Sequence, residues 1–386
     1  MLNNQSHSEK HSGIAIVIGT KAELIKCMPL MLELQRQKKD YWFIHTGQHS
    51  LKGACEEFSL KRPDYVLSKA PKLSTKFWSK ISRAALIWFL KVIFRIKKLI
   101  NKLKPKYVIY HGDTMSTSVA AIGSSKLLNP GKSWKNVHLE AGLRSGNLFE
   151  PFPEEISRQI SDGFSDILLA VSDLSETNLR KEKSRGKKVI KVGNTIIDAS
   201  WISYEMAKKS KMRKPKEKYA LINIHRHENL KNEKRMRKIV DILKAVKIKA
   251  IWPLHDNTAR YLKKYGLMKK IEKMKNIEIT ELMGYSHFIF LIANCFYLVT
   301  DGGSIQEESL VFKKPCVILR KRTERQEGLS TGINFLTKLN VNSAKKIIGD
   351  IESNKIKVKG FKNPYGERGV SRKIVSLLSD KQNESI

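Results

Sequence analysis

Three carboxylates stand where a chain of alternating strands and helices exposes its chemistry, in the loops that follow strands. Asp113 comes after the apolar run Tyr107-Val108-Ile109-Tyr110, within His111-Gly112-Asp113-Thr114. Glu140 comes after Val137-His138-Leu139 and opens Glu140-Ala141-Gly142-Leu143-Arg144; Glu154 lies in Pro151-Phe152-Pro153-Glu154-Glu155. Acids gathered at one sheet edge of a mostly basic chain suit proton transfer, with pKa values set by their surroundings. Taken singly, Asp113 and Glu154 read more simply as helix caps or first-turn acids.

A second group, in the C-terminal half, suits an anion. Asp301-Gly302-Gly303-Ser304 leaves a strand and runs on through Ile305-Gln306-Glu307-Glu308 into a helical pattern. Two glycines and a hydroxyl at a helix N-terminus fit a diphosphate, and a glutamate one turn on fits ribose hydroxyls, which points to a nucleotide. His225-Arg226-His227-Glu228-Asn229 follows another strand and adds cationic contacts to phosphate. Two histidines two positions apart on a loop, with no third ligand at recognisable spacing, make a poor metal site, and none is expected. The turn Gly19-Thr20-Lys21-Ala22-Glu23 also opens a helix. It has neither the dinucleotide G-x-G-x-x-G spacing nor that of a P-loop, so neither is expected.

The elements that must position these groups are short β-branched runs alternating with helical patterns. In the first half they are Ile14 to Ile18, Tyr41 to Ile44, Tyr107 to Tyr110, Val137 to Leu139, Asp166 to Ala170 and Val189 to Val192. After a Lys-rich stretch near Lys214-Pro215-Lys216 come Tyr219 to Ile224, Ala250 to Leu254, Ile277 to Ile279, Tyr297 to Thr300 and Cys316 to Leu319. This rhythm predicts an α/β protein of two Rossmann-like, doubly wound parallel-sheet domains, 1–198 and 199–365. Two such domains facing one another would form a cleft at the strand ends.

The length of 386 residues supports two domains with cores of their own, and 73 Lys+Arg against 37 Asp+Glu leaves a formal charge of +36. Cys27, Cys55, Cys295 and Cys316 are far apart, without C-x-x-C pairing, and read as reduced cytosolic thiols. The first twelve residues are polar and Ile14 to Ile18 is too short for a signal-peptide core, so a cytoplasmic protein is expected. The segment from Pro71 to Pro105 has no Asp or Glu, many Lys and Arg, and apolar residues at helical spacing: Ile81, Ala84, Ala85, Trp88, Val92, Ile96, Leu99 and Leu103. It reads first as a core or dimer-interface helix with a solvated cationic face, and second as a peripheral anchor on an anionic membrane surface. The charge also invites nucleic acid, but no zinc-finger spacing, RNA-binding strand motif or helix-turn-helix is present, so nucleic acid is not an expected partner.

Taken in order, these residues resemble the UDP-N-acetylglucosamine 2-epimerase family, from about Ile14 to about Leu336. The matching series is Gly19-Thr20 with Glu23 and Lys26, Thr46-Gly47-Gln48-His49, His111 to Thr114, His138 to Arg144, and Pro151 to Glu155 with Arg158-Gln159. It continues through Gly193-Asn194-Thr195, His225-Arg226 with Glu228-Asn229, Gln306-Glu307-Glu308 and Thr323-Glu324-Arg325. The resemblance implies a glycosyltransferase-B type fold, UDP held mainly by the C-terminal domain, a last helix within 366–386 crossing back to the first domain, and a homodimer. It implies inversion of carbon 2 of a UDP-sugar without nicotinamide, metal or other cofactor, by anti elimination of UDP to a 2-acetamidoglucal and re-addition.

Carried over by residue, the resemblance puts Asp113, Glu140 and Glu154 at acid and base positions and His225 at that of a catalytic histidine. Lys21 falls in a substrate-contact turn, Lys26 and Arg158 near sugar or phosphates, and His255 in the substrate cleft. Gly302, Gly303 and Ser304 fall at the diphosphate and Glu308 at the ribose. Gln48 and His49 match a segment that forms an activator pocket in some bacterial members. The chain departs from the usual GTRPE at Lys21-Ala22, from DSGG at Gly302 to Ser304, and from HLNP at Asp256 to Thr258. Lysine does not reproduce the bidentate grip of arginine on an anion. The expected function is interconversion of UDP-N-acetylglucosamine and UDP-N-acetylmannosamine for surface polysaccharide. The alternatives are a hydrolysing epimerase, an epimerase of a modified UDP-sugar such as a diacetamido uronic acid, and a membrane-associated glycosyltransferase.

Overall fold

The computed structural model describes residues 13–69, 83–147, 153–182, 186–358 and 360–379. The chain divides into two compact units, one of residues 1–142, 152–195 and 369–386, the other of residues 143–151 and 196–368.

The first unit runs β1 (Ile14–Ile18), α1 (Lys21–Arg36), β2 (Tyr41–His45), α2 (Lys52–Glu57), β3 (Tyr65–Val66), α3 (Arg83–Leu103), β4 (Tyr107–His111), α4 (Met115–Gly123), β5 (Lys135–Ala141), α5 (Glu154–Gly163), β6 (Ile167–Ala170), α6 (Asp173–Lys181) and β7 (Lys188–Lys191). Its seven strands lie in the order β3-β2-β1-β4-β5-β6-β7, every pair parallel. A parallel sheet is covered on both faces, which is why β1 reads as an unbroken apolar run and every residue of it is buried.

The second unit runs α7 (Ile196–Lys209), β8 (Tyr219–Asn223), α8 (His227–Leu230), α9 (Glu233–Leu243), β9 (Lys249–Pro253), α10 (Asp256–Lys264), α11 (Met268–Glu272), β10 (Ile277–Thr280), α12 (Tyr285–Asn294), β11 (Tyr297–Thr300), α13 (Ser304–Val311), β12 (Cys316–Ile318), a 3-10 turn at Gln326–Thr331, β13 (Asn334–Leu336) and α14 (Val341–Glu352). Its six parallel strands are ordered β10-β9-β8-β11-β12-β13. Both are doubly wound α/β sheets, as the strand rhythm predicts. The last helix, α15 (Val370–Ser379), belongs to the first unit and packs on α1, where Arg372 Nε lies 4.0 Å from Glu33 Oε1.

Helix starts are set by local chemistry. Thr20 caps α1 by accepting from the Glu23 amide, and Glu23 closes a capping box by accepting back from Thr20 N–H. Thr114 caps α4 in the same way with Thr117. Asp113 therefore precedes a cap rather than being one, whereas Glu154 does begin its helix.

The basic apolar segment is helical over α3, and residues 70–82, including the expected Ile81, lie outside the described ones. The expected stripe of Ala85, Trp88, Val92 and Ile96 is buried in the unit's own core, with Ile93 and Ile100. The outward face is not simply cationic: Leu86, Ile87, Leu90 and Phe94 are 53%, 61%, 47% and 60% exposed among Lys91, Arg95 and Lys98. No described helix is long and apolar enough to cross a membrane.

Candidate active site

In the first unit the loop after β4, the end of β5 and the start of α5 carry the sequence-predicted acids, and Asp113 and Glu140 are each paired with a buried cation. Glu140 sits at a break in the β5–β6 register between Leu139 and Ala141, with φ of +64°. A non-glycine residue at positive φ is strained, and a bulge re-aims the side chain it carries. The re-aimed carboxylate is buried; it forms an ion pair with Lys26 of α1 and accepts from Asn194 Nδ2 at 3.3 Å, with His111 Nε2 3.9 Å away. Gly142, just beyond, has φ of +84°, and a Cβ there would stand 2.3 Å from the Ser175 carbonyl oxygen.

Asp113 forms an ion pair with buried Arg158 of α5, which also lies 3.3 Å from Glu155 Oε2. Glu154 is one helical turn before Arg158 on the same face of α5. Glu23 ties the turn after β1 to the start of α4. Its two oxygens accept from the Gly19 and Thr20 amides, each at 2.7 Å, and from the hydroxyls of Thr114 and Thr117. Burial raises the Glu23 pKa against these lowering bonds. Lys21 is exposed at the head of α1. Gln48 Oε1 accepts from Ser116 Oγ at 2.6 Å, and the exposed His49 donates its amide to the Gly19 carbonyl at 2.9 Å.

In the second unit, buried Asp301 at the end of β11 pins the loop after β8. It accepts from the His225 and Arg226 amides at 2.9 and 3.2 Å and from Asn229 Nδ2 at 3.0 Å. The His225 ring, with Nδ1 2.7 Å from Asn223 Oδ1, keeps an exposed edge at 41%. Desolvation lowers its pKa, and Asp301 opposes this while Arg226 and His255 reinforce it. His255 caps α10, its Nδ1 accepting from the Asn257 amide at 3.1 Å.

The Gly302-Gly303 turn is hemmed in. A Cβ at position 303 would stand 3.0 Å from Arg325 Nη1 and 3.1 Å from Glu324 Oε1. At position 302 it would stand 2.9 Å from Ile305 Cδ1 and 3.4 Å from the His225 ring, and the hydroxyl of this turn lies on Ser304, the first residue of α13. Glu308, buried in the next turn, accepts from Tyr285 Oη at 2.8 Å, and the Tyr285 pKa is raised by burial and by that carboxylate. Among the described residues no cluster of His, Cys, Asp and Glu could hold a metal ion.

The family profile described as UDP-N-acetylglucosamine 2-epimerase matches residues 32–379. A UDP-N-acetylglucosamine 2-epimerase of Methanocaldococcus jannaschii is 32% identical over 381 residues, which cover 95% of this chain and 98% of that protein. The chain belongs to the UDP-N-acetylglucosamine 2-epimerase family. The crystal structure of the M. jannaschii epimerase in complex with UDP-GlcNAc and UDP matches with a TM-score of 0.80, covering 95% of this chain and 99% of that one. The Neisseria meningitidis epimerase bound to UDP-GlcNAc matches with a TM-score of 0.82 at 29% identity, with coverage of 95% and 99%. A UDP-2,3-diacetamido-2,3-dideoxy-D-glucuronate 2-epimerase of Pseudomonas aeruginosa is 29% identical over 333 residues, 84% of this chain and 87% of that protein.

Within this epimerase-family chain, Asp113 meets Arg158 and Glu140 meets Lys26, pairs whose partners lie 45 and 114 positions apart in sequence. Partners that spacing did not single out are, in the first unit, His111 as a neighbour of Glu140 and Asp162 as the partner of His138, and, in the second, Tyr285 as the partner of Glu308. Only His111 had a local signal, its place beside Asp113.

Proposed function

We propose that this chain interconverts UDP-N-acetylglucosamine and UDP-N-acetylmannosamine without net hydrolysis, in the cytoplasm, as a homodimer, supplying surface polysaccharide synthesis. The observation that carries the reading is the pair of ion pairs, Lys26–Glu140 and Arg158–Asp113, with Glu154 one turn along α5. A base takes the carbon-2 proton; the C–H electron pair becomes the C1–C2 double bond and the C1–O bond breaks, so UDP leaves with its electrons. A second acid then delivers a proton to the opposite face of carbon 2 while UDP oxygen re-forms the bond to carbon 1. Asp113, Glu140 and Glu154 share these transfers. His225, the amides at Gly302 and Gly303 and the Ser304 hydroxyl stabilise the departing diphosphate, and Glu308 takes the ribose. Lys26, Arg158, Lys21 and His255 complete the sugar and phosphate contacts, and Gln48 with His49 is proposed as the activator pocket.

Proton NMR with UDP-N-acetylglucosamine in deuterated water tests this. Deuterium at carbon 2 with intact UDP-N-acetylmannosamine is the expected result. Accumulating UDP with free N-acetylmannosamine assigns the hydrolysing reaction instead, and absence of both exchange and UDP release overturns the sugar assignment. A diacetamido uronate nucleotide is the second substrate to offer, favoured by the Pseudomonas relative and by the basic character of the chain, which suits a substrate with an added carboxylate.

The outward stripe of α3 favours one further partner, an anionic lipid surface. Its apolar side chains suit the headgroup boundary and its lysines the phosphates. The segment 71–105 has no acid to meet those cations, so a two-fold contact between copies would set like charges together. Sedimentation with phosphatidylserine vesicles is expected to bring the protein down. Sedimentation that survives neutralising Lys91, Arg95, Lys97 and Lys98 overturns electrostatic docking, and loss of the dimer in Phe94→Glu assigns the stripe to a second copy.

A further inference from the structure

The catalytic reading gives no role to the buried pair of His138 with Asp162. His138 lies in the middle of β5, between Tyr110 of β4 and Leu168 of β6, and is wholly buried. Its Nδ1 is 2.7 Å from Asp162 Oδ1 near the end of α5, and its Nε2 is 2.8 Å from the Gly112 carbonyl oxygen. A carbonyl oxygen can only accept, so Nε2 carries a proton toward Gly112, and a further proton must bridge Nδ1 and the carboxylate. Both contacts thus run through hydrogens in a dry site, where each is stronger than in water and costly to leave unmade.

The place they hold is the peptide ahead of Asp113. Gly112 has φ of +75°, its N–H donates to the Leu139 carbonyl at 3.0 Å, and its own carbonyl accepts from His138. Strand β5 therefore clamps Gly112 on both sides. Along α5, Glu154, Arg158 and Asp162 recur every fourth residue and share one face. Arg158 reaches Asp113 itself, and Asp162 reaches the preceding residue through the imidazole. Helix α5 grips the Gly112-Asp113 segment at two points while presenting Glu154 at its head.

We propose that His138 and Asp162 are positioning residues for the proton transfers, forming a strut that sets the distance between Asp113 and Glu154. Neither touches the sugar. The inference rests on the epimerase reading for its kinetic consequence, but the strut itself can be tested without substrate.

Asp162→Asn is the conservative variant. Its amide can donate to Nδ1 while Nε2–H still donates to Gly112, so the strut survives. Asp162→Ala breaks it. In amide hydrogen exchange read by mass spectrometry, Asp162→Ala is expected to speed exchange of the Gly112–Thr114 segment about tenfold or more. Asp162→Asn and the rest of β4 should match the parent. With UDP-N-acetylglucosamine, Asp162→Ala is expected to lose about 10- to 100-fold in kcat with KM within about twofold, in line with a misplacement near 1 Å. It should also release more free UDP per carbon-2 deuteration, a ratio that a smaller folded fraction cannot change. His138→Leu should behave like Asp162→Ala. Unchanged exchange at Gly112 in Asp162→Ala overturns the strut. Faster exchange with an unchanged kcat and UDP ratio overturns its positioning role. A parent enzyme that exchanges no carbon-2 proton fails the epimerase reading and leaves the exchange result standing.

Discussion

Replacing Lys26 by methionine removes the ammonium from the Lys26–Glu140 pair and keeps most of its volume. The two side chains are 8% and 2% exposed, so the carboxylate left behind has little water to turn to. It keeps Asn194 Nδ2 at 3.3 Å and His111 Nε2 at 3.9 Å. Breaking a buried pair from one side costs about 3–5 kcal/mol, and the amide contact places this case near the lower end, about 3 kcal/mol. That is about two orders of magnitude in the folding equilibrium. The loss depends on pH. A buried carboxyl without its cation prefers the neutral form, so its folded pKa lies above the unfolded value near ~4.3. Stability of the variant is then greatest below that value and falls as pH rises through the interval between the two pKa values. Urea unfolding of Lys26→Met, followed by circular dichroism at pH 5 and pH 8, should show the larger deficit at pH 8. Adding Glu140→Gln should recover most of it by removing the stranded charge. A deficit at pH 8 under about 1 kcal/mol, or a double variant no better than the single one, refutes the reasoning.

Three other outcomes follow from the geometry. Gly142→Ala must hold a Cβ 2.3 Å from the Ser175 carbonyl oxygen at φ of +84°, and a fall of several degrees in Tm is expected; an unchanged thermal melt refutes the fit. Tyr285→Phe strips a donor from buried Glu308 and should weaken UDP binding by about fivefold or more in calorimetry, a loss of order 1 kcal/mol, while unaltered affinity separates Glu308 from the ribose. Desolvation lowers the His225 pKa, so the ring is neutral at pH 7 and takes up a proton only below its ordinary 6.5. The acid limb of kcat/KM for His225-dependent turnover should therefore lie below pH 6.5, and a His225-dependent limb at or above that value contradicts the assignment.

The central strands β1 and β11 are legible because they are buried along their whole length and their residues are apolar or nearly so. Strand β3 escapes notice because two residues are too few to carry a pattern, and β13 because it opens on Asn334 and lacks the unbroken apolar run that marks the equally short β12. The acids are legible as loop residues after strands, but their cationic partners are not, since Lys26 and Arg158 sit on helices far away in sequence. Glu140 reads in the sequence as a loop residue after Leu139, whereas it lies within β5, at a register break that the sequence does not announce. Helix α3 shows how a pattern can be read correctly on one face and incompletely on the other. The periodic stripe is core, while the outward face mixes Leu86, Ile87, Leu90 and Phe94 with lysines that conceal it from a count of charge.

The return of α15 to the first unit has a consequence for biosynthesis. A ribosome makes β1 and α1 well before the second unit, yet the helix that packs on α1 is made only after that unit. All of residues 196–368 are synthesised in the interval. The second unit can complete its own sheet as soon as it leaves the tunnel, whereas the first must wait with the α1 surface uncovered. The unit begun first is closed only after the second, and a chain that stopped at Arg368 would hold a complete second unit while the acid-bearing first one still lacked its closing helix.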